Sequence, residues 1–289
     1  MCDTVSRGGD VPMRLRKLSS MTFVAIALLL AAPAASREPE EGVKLKNPGI
    51  VGRTIRLLAS PETLEKAGEQ QYAQLTRQAF QKRALLPNEH AQVVRLRKIF
   101  QDLLPHSYKF NERARDWKWE VNVVNSPQVN AFCMPGGKIA FFTGILDKMK
   151  LTDDEAAMIM GHEIAHALRE HSRARAAKNK LTSFTTLAVA VLVGGNAGEL
   201  ARVGGGLLGL RFSRSDETEA DLVGMELAAR AGYNPASGVS LWEKMSAANS
   251  GAPMEFMSTH PSGTTRIATI KANLKDVMPL YERAKAKRL

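Results

Sequence analysis

His162-Glu163-Ile164-Ala165-His166 sets two histidines four residues apart, with a glutamate directly after the first. Positions i and i+4 share one face of a helix, so both imidazoles can turn toward a single metal ion while Glu163 stands beside its water. That is the chemistry of metal-assisted hydrolysis with a carboxylate as general base. In a chain with six histidines this pattern arises by chance in about one per cent of shuffled sequences, before any helical setting is required. Two histidines do not complete a catalytic zinc site, which needs a third protein ligand and an open position for water. Cysteine offers no obvious candidate, because Cys2 and Cys133 are the only two, too few as well for a disulfide framework or a thiolate cluster. Asp216, Glu217, Glu219 and Asp221 concentrate carboxylates downstream. Alone they read as an acidic, solvated helix start. Beside HExxH, Glu217 could ligate the ion while Asp221, on the same face, accepts the outer N–H of a ligand histidine. His171 reads as outer-sphere or surface.

The HExxH segment needs a rigid carrier. Thr152 with Glu155 three residues later is a capping box, and Asp153 and Asp154 suit a first turn, which predicts a helix reaching about Lys178. Before it, Trp119 to Val123 alternates with period two, and Lys138 to Thr143 is a second strand-like run after the turn Pro135-Gly136-Gly137. Two packing helices come earlier. One opens at Ser60-Pro61-Glu62 and runs toward Arg83, and one follows Pro87-Asn88 with Val93, Leu96, Ile99, Phe100, Leu103 and Leu104 at helical spacing. Two more helices follow the site, one through Ala220 to Ala231 and one after Pro235. Leu181 to Leu210 is apolar and glycine-rich, and reads equally as an apolar flap or membrane-contact element and as a buried segment. The fold class is α+β and mainly helical, with a small sheet beside the HExxH helix.

The start of the chain has the features of an export leader. Arg14, Arg16 and Lys17 precede the apolar run Met21 to Ala32, and Ala32-Pro33-Ala34 supplies small residues for cleavage. Twelve apolar residues are short for a membrane span, so cleavage is favoured over a retained anchor. The domain reading is then a signal peptide over 1–35, a helical N-terminal part over 36–115, and a catalytic core with C-terminal helices over 116–289. With 44% hydrophobic residues the chain can bury a core. Its net charge of +11 becomes +9 beyond residue 35, with 36 basic against 27 acidic residues. Spread over packing helices and the tail Lys285 to Arg288, that charge suits peripheral contact with an anionic membrane. Nucleic acid is excluded as a partner, because basic residues interleaved with stacking aromatics are missing at 6% aromatic content.

Several separated motifs resemble the HtpX-like zinc metallopeptidases of the CAAX prenyl protease type, a family of HExxH gluzincins. They are Asn130-Ala131-Phe132 with Pro135-Gly136-Gly137, then Gly161-His162-Glu163-Ile164-Ala165-His166, and the acidic Glu217-Thr218-Glu219-Ala220-Asp221. Gly232-Tyr233-Asn234-Pro235 and Thr259-His260-Pro261-Ser262 with Arg266-Ile267 complete the order, over roughly residues 55 to 275. The resemblance implies a zincin-like fold, one Zn2+ per chain held by His162, His166 and Glu217, and Glu163 as general base. It also implies an edge strand around Lys138, Ile139 and Ala140 that pairs with extended substrate. His260 falls where the family has a histidine near the metal, to stabilise an oxyanion or to occupy the open zinc position; a turn-capping role is the alternative. Arg266 is expected to pair with a carboxylate, and Asp221 to orient a ligand. The implied activity is hydrolysis of unfolded or misassembled cell-envelope proteins, by a periplasmic or, alternatively, a mitochondrial intermembrane-space protein. A rival from another class is a chaperone-like assembly factor with a structural or latent zinc site.

Overall fold

Ser60, Pro61 and Glu62 open the first helix in the way their types predict. The Ser60 hydroxyl accepts the Thr63 N–H, proline needs no donor in the first turn, and α1 runs Pro61–Gln81. The computed structural model describes residues 41–45, 54, 56–179, 211–248, 255–260 and 264–287. The leader and the glycine-rich segment read above fall outside the described residues. Helix α2 (Ala91–Ser107) buries Val93, Leu96, Ile99, Phe100 and Leu103, the stripe set by its periodicity.

Three short strands follow: β1 (Glu120–Val124), β2 (Ala131–Met134) and β3 (Lys138–Phe142). The β2–β3 turn holds Gly136 and Gly137 at φ +84° and +80°, a region that side chains disfavour. The sheet order is β1-β3-β2, with β1 parallel and β2 antiparallel to β3. This corrects the expectation for Lys138, Ile139 and Ala140. They belong to the central strand, whose backbone is paired on both sides, so they cannot accept a substrate strand. The outer side of β1 is covered too, since Leu85 bridges Val124, the Leu86 N–H donates to the Val123 carbonyl, and the Asn125 N–H to that of Ala84. Among the described residues the edge that no strand covers is that of β2, where the Cys133 backbone bonds the Glu163 carboxylate.

After α3 (Thr143–Met149), the capping box of Thr152 and Glu155 forms as expected, and α4 (Asp153–Leu168) carries HExxH. Every residue of α4 from Glu155 to Leu168 is buried, the mark of a helix wrapped on all sides by protein. It ends ten residues short of Lys178. Arg169 caps it, Glu170 takes a left-handed conformation at φ +54°, and helix resumes over 171–179. The acidic motif lies on α5 (Arg214–Arg230), which starts six residues before Ala220 because Ser213 and Asp216 make a second capping box. Helices α6 (Ser237–Ala248), α7 (Glu255–Thr259) and α8 (Thr264–Ala286) complete the order.

The α4–α5 crossing is set by two glycines. A Cβ added to Gly224 would lie 2.7 Å from the His162 backbone nitrogen, and one on Gly161 would lie 2.8 Å from the Gly224 carbonyl oxygen. With hydrogen at both positions the two backbones touch, and the side chains flanking the contact, His162 on α4 and Asp221 on α5, fall opposite each other.

Candidate metal centre

At this crossing four buried side chains turn inward. One donor atom each from His162, His166, Glu217 and His260 lies within 4.8 Å of the others. The Nε2 atoms of His162 and His166 are 3.1 Å apart. Glu217 puts Oε2 3.5 Å from His162 Nε2 and Oε1 3.5 Å from His166 Nε2. Four ligands at about 2.0–2.2 Å around a tetrahedral zinc ion stand about 3.3–3.6 Å from one another, so the spacing fits such an ion.

The protonation pattern leads to the same conclusion. Asp221 Oδ1 lies 3.0 Å from His162 Nδ1, and a carboxylate can only accept, so one ring proton sits on Nδ1 and the neutral form of His162 turns its Nε2 lone pair inward. On the other side, His171 donates from Nε2 to Glu219 Oε2 over 3.0 Å, which leaves its Nδ1 to accept from His166 Nδ1, also at 3.0 Å. His166 Nε2 therefore also carries a lone pair inward. Two inward ring nitrogens and a carboxylate converging in a buried space call for positive charge between them, a proton on His162 Nε2 or a metal ion in its place.

Titration behaviour follows from the same field. Burial and the Arg266 guanidinium press His162 toward the neutral form, but the Asp221 and Glu217 carboxylates outweigh them and hold its pKa up at about 9. Burial, aided by the neighbouring His162, His171 and His260 rings, drives His166 well below the ordinary histidine range. Burial opposes ionisation of Glu217, yet hydrogen bonds from His162 and His260 win and keep it ionised. Glu163, in contrast, is pushed up by burial, with His260 and His162 pulling the other way. Its Oε1 is buried with no hydrogen-bond partner among the described residues.

Arg266 reaches in from α8. Its Nε donates to Asp221 Oδ2 at 2.6 Å, NH2 to Asp221 Oδ1 at 2.5 Å and NH1 to Glu217 Oε2 at 2.6 Å, while the guanidinium lies 3.6 Å over the Trp242 ring. It thus pairs with two carboxylates, one more than the sequence suggested. His260 sits between Glu217 and Glu163, with Nδ1 3.1 Å from Glu217 Oε1 and Nε2 3.5 Å from Glu163 Oε1. Its ring stacks on Phe256 at 4.6 Å.

Sequence reasoning left His171 open between an outer-sphere and a surface place, and it missed Phe212. His171 is 1% exposed and bonded to His166. Phe212 stacks on the His166 ring at 3.9 Å between centroids and 28° between planes, and its N–H donates to the Thr259 carbonyl. No spacing in the sequence marks Phe212. A cleft of about 40 Å³ opens beside the centre, lined by Ala131, Phe132 and Cys133 of β2 together with Glu163, Phe212 and His260.

The profile of Peptidase family M48 matches residues 90–274. The mitochondrial metalloendopeptidase OMA1 of Saccharomyces cerevisiae is 33% identical over 229 residues, 75% of this chain and 65% of that protein. That of Arabidopsis thaliana is 39% identical over 173 residues, 59% of this chain and 35% of that protein. The beta-barrel assembly-enhancing protease of Escherichia coli is 26% identical over 172 residues, 55% of this chain and 35% of that protein. The chain therefore spans between about a third and two thirds of the length of these curated relatives. With the HExxH helix, the acidic helix and His260 all inside the matched span, the chain belongs to peptidase family M48.

Proposed function

We propose that the chain is a zinc metalloendopeptidase that cleaves unfolded or misassembled proteins of the cell envelope. The observation that carries the reading is Glu163, a buried carboxylate whose Oε1 makes no hydrogen bond among the described residues and stands 3.5 Å from His260 Nε2, placed between the histidine–glutamate cluster and the outer edge of β2. In this reading His162, His166 and Glu217 hold one zinc ion per chain. A bound zinc ion polarises a peptide carbonyl and acidifies a water. Glu163 takes the proton of that water and delivers it to the leaving amine, a role suited to a carboxylate whose pKa burial has raised. Asp221 and Glu219, the latter through His171, keep both ring protons on the outer nitrogens. Arg266 holds Glu217 and Asp221 as anions.

Backbone pairing supplies the grip on an extended chain. The Phe142 N–H donates to the Asn130 carbonyl, and with Ala131 opposite Phe141 and Cys133 opposite Ile139, alternation turns the polar groups of Ala131 and Cys133 outward from the sheet. An unfolded substrate can pair there in any sequence, since main-chain bonds do not read side chains. The envelope or mitochondrial compartment rests on the leader and on the names of the relatives. Among the described residues no helix is long and apolar enough to cross a membrane.

His260 favours a second reading of the same site. It belongs to the donor group, and its Nδ1 lies 3.3 Å from His162 Nε2 and 3.1 Å from Glu217 Oε1, so it can serve as a fourth ligand and keep the enzyme latent until it swings away. The test is zinc content of the purified chain together with cleavage of an unfolded casein by wild type and Glu163→Gln. We expect bound zinc in both proteins and a drop of about 10²–10⁴-fold in rate for the variant. Equal cleavage by the two would overturn the peptidase mechanism. Zinc with no cleavage by either would favour latency or the chaperone-like reading, and His260→Ala separates these by releasing activity only in the first.

A further inference from the structure

We infer that His171 and Glu219 are positioning residues that fix the tautomer of His166, and that Arg169 sets the direction of this relay. The inference rests on the reading of His166 as a zinc ligand. His171 lies five positions after His166, which on an unbroken helix is about 140° around the axis, out of reach of its ring. The break at Arg169–Glu170, with Glu170 at φ +54°, swings His171 back so that the two Nδ1 atoms meet at 3.0 Å. His171 is buried, so this contact is made away from water.

Only one proton can lie between the two Nδ1 atoms, and Glu219 decides which ring owns it. As a carboxylate, Glu219 accepts from His171 Nε2, so a neutral His171 accepts at Nδ1 and His166 donates. His166 Nε2 is then bare toward the centre. Arg169 donates to the other oxygen of Glu219, Oε1, from Nε at 2.8 Å and from NH2 at 2.7 Å. A backbone break between the residues at 169 and 171 thus orders three side chains into one directional chain.

The arrangement gives a prediction that a purely structural role would not. In Glu219→Gln the amide must turn its carbonyl to Arg169, which has only hydrogens to offer. Its NH2 then faces His171 and donates to Nε2, which moves the His171 proton to Nδ1. That proton forces His166 to hold its own on Nε2, pointing at the ion. In Glu219→Ala nothing dictates the His171 tautomer, and Asp216 Oδ1, 4.0 Å from His171 Nε2, remains nearby as an acceptor. The isosteric change should therefore be worse than the truncation.

The experiment strips the full chain of metal and titrates zinc back against a chromophoric chelator, with far-UV circular dichroism as a check of folding. We expect His171→Ala to bind zinc about 10–100-fold more weakly than wild type. His171→Asn, whose carbonyl can accept from His166 Nδ1, should restore most of the loss. Glu219→Gln should bind more weakly than Glu219→Ala. Zinc affinity of His171→Ala within twofold of wild type, or Glu219→Ala as weak as Glu219→Gln, would overturn the relay. If His171→Ala fails to fold, the ordering of the two Glu219 variants still decides. Absence of zinc uptake by wild type would instead remove the reading of the site on which the relay depends.

Discussion

Arg266 is the residue on which the two acidic partners of the centre depend. It makes a fork with Asp221, a further bond to Glu217, and a stack on Trp242, all while 5% exposed. A guanidinium can do this because its donors are planar and divergent, whereas an ammonium is a single point of charge. Arg266→Lys should therefore be costly although the charge is kept, with a loss of about 2–4 kcal/mol in unfolding free energy, close to what breaking a buried pair costs. Urea unfolding of the two proteins measures it, and a loss under about 0.5 kcal/mol, the scale of an ordinary surface change, would mean that the fork carries no stability. The sequence exposes such residues unevenly. His162, Glu163 and His166 stand out because their chemistry follows from a fixed helical period, and Glu217 with Asp221 by the same i, i+4 rule. His171 does not, because a five-residue separation implies divergence until a left-handed residue intervenes, and Leu168-Arg169-Glu170 contains no glycine or proline to announce one. Phe212 acts through a contact between elements distant in sequence, which no local pattern encodes.

At the scale of elements, the site exists because α4 and α5 approach at Gly161 and Gly224. Gly224→Ala would press a methyl group against the His162 backbone nitrogen, and backbone can move only by shifting the whole helix. We expect about 1–3 kcal/mol of destabilisation from this overpacking, with weaker zinc binding because His162 and Asp221 are carried apart. Gly238→Ala is the control. There the added methyl meets the mobile end of Met158 at 2.9 Å, and the gain in helix propensity of up to about 1 kcal/mol should leave stability unchanged or raised. Thermal unfolding of both variants tests the contrast, and equal losses would show that helix approach at the centre is not what the glycine preserves. Helix starts were legible where capping residues stand in line, as at Ser60 and Thr152. Strand order was not. The resemblance implied an edge strand at Lys138 to Phe142, but the stretch Ala131–Met134 is buried at every position, so it lacks the alternation that marks a strand, and with it missing β3 had one neighbour fewer than in the fold.

For the whole molecule, the centre is a clasp between distant parts of the chain. Its donors come from α4, from α5 and from the end of α7, with Arg266 of α8 behind them, and the His162–Arg266 pair spans 104 positions. An ion held by such a set stabilises the folded state alone, by an amount that grows with the logarithm of free metal over Kd. At a free zinc concentration 100 times Kd this is about 2.7 kcal/mol. In a chain of this size each kcal/mol moves Tm by about 2–4 °C, so removing the metal with a chelator should lower Tm by about 5–11 °C. The loss should also be local in origin. Helices α1 and α2 contribute no donor and pack through apolar stripes, whereas α7 and α8 reach the core through His260, Phe256 and Arg266. Hydrogen exchange should therefore quicken in α7 and the first turns of α8 well before α2. A Tm unmoved after verified removal of zinc, or exchange that quickens evenly along the chain, would mean that the helices hold the site and not the reverse.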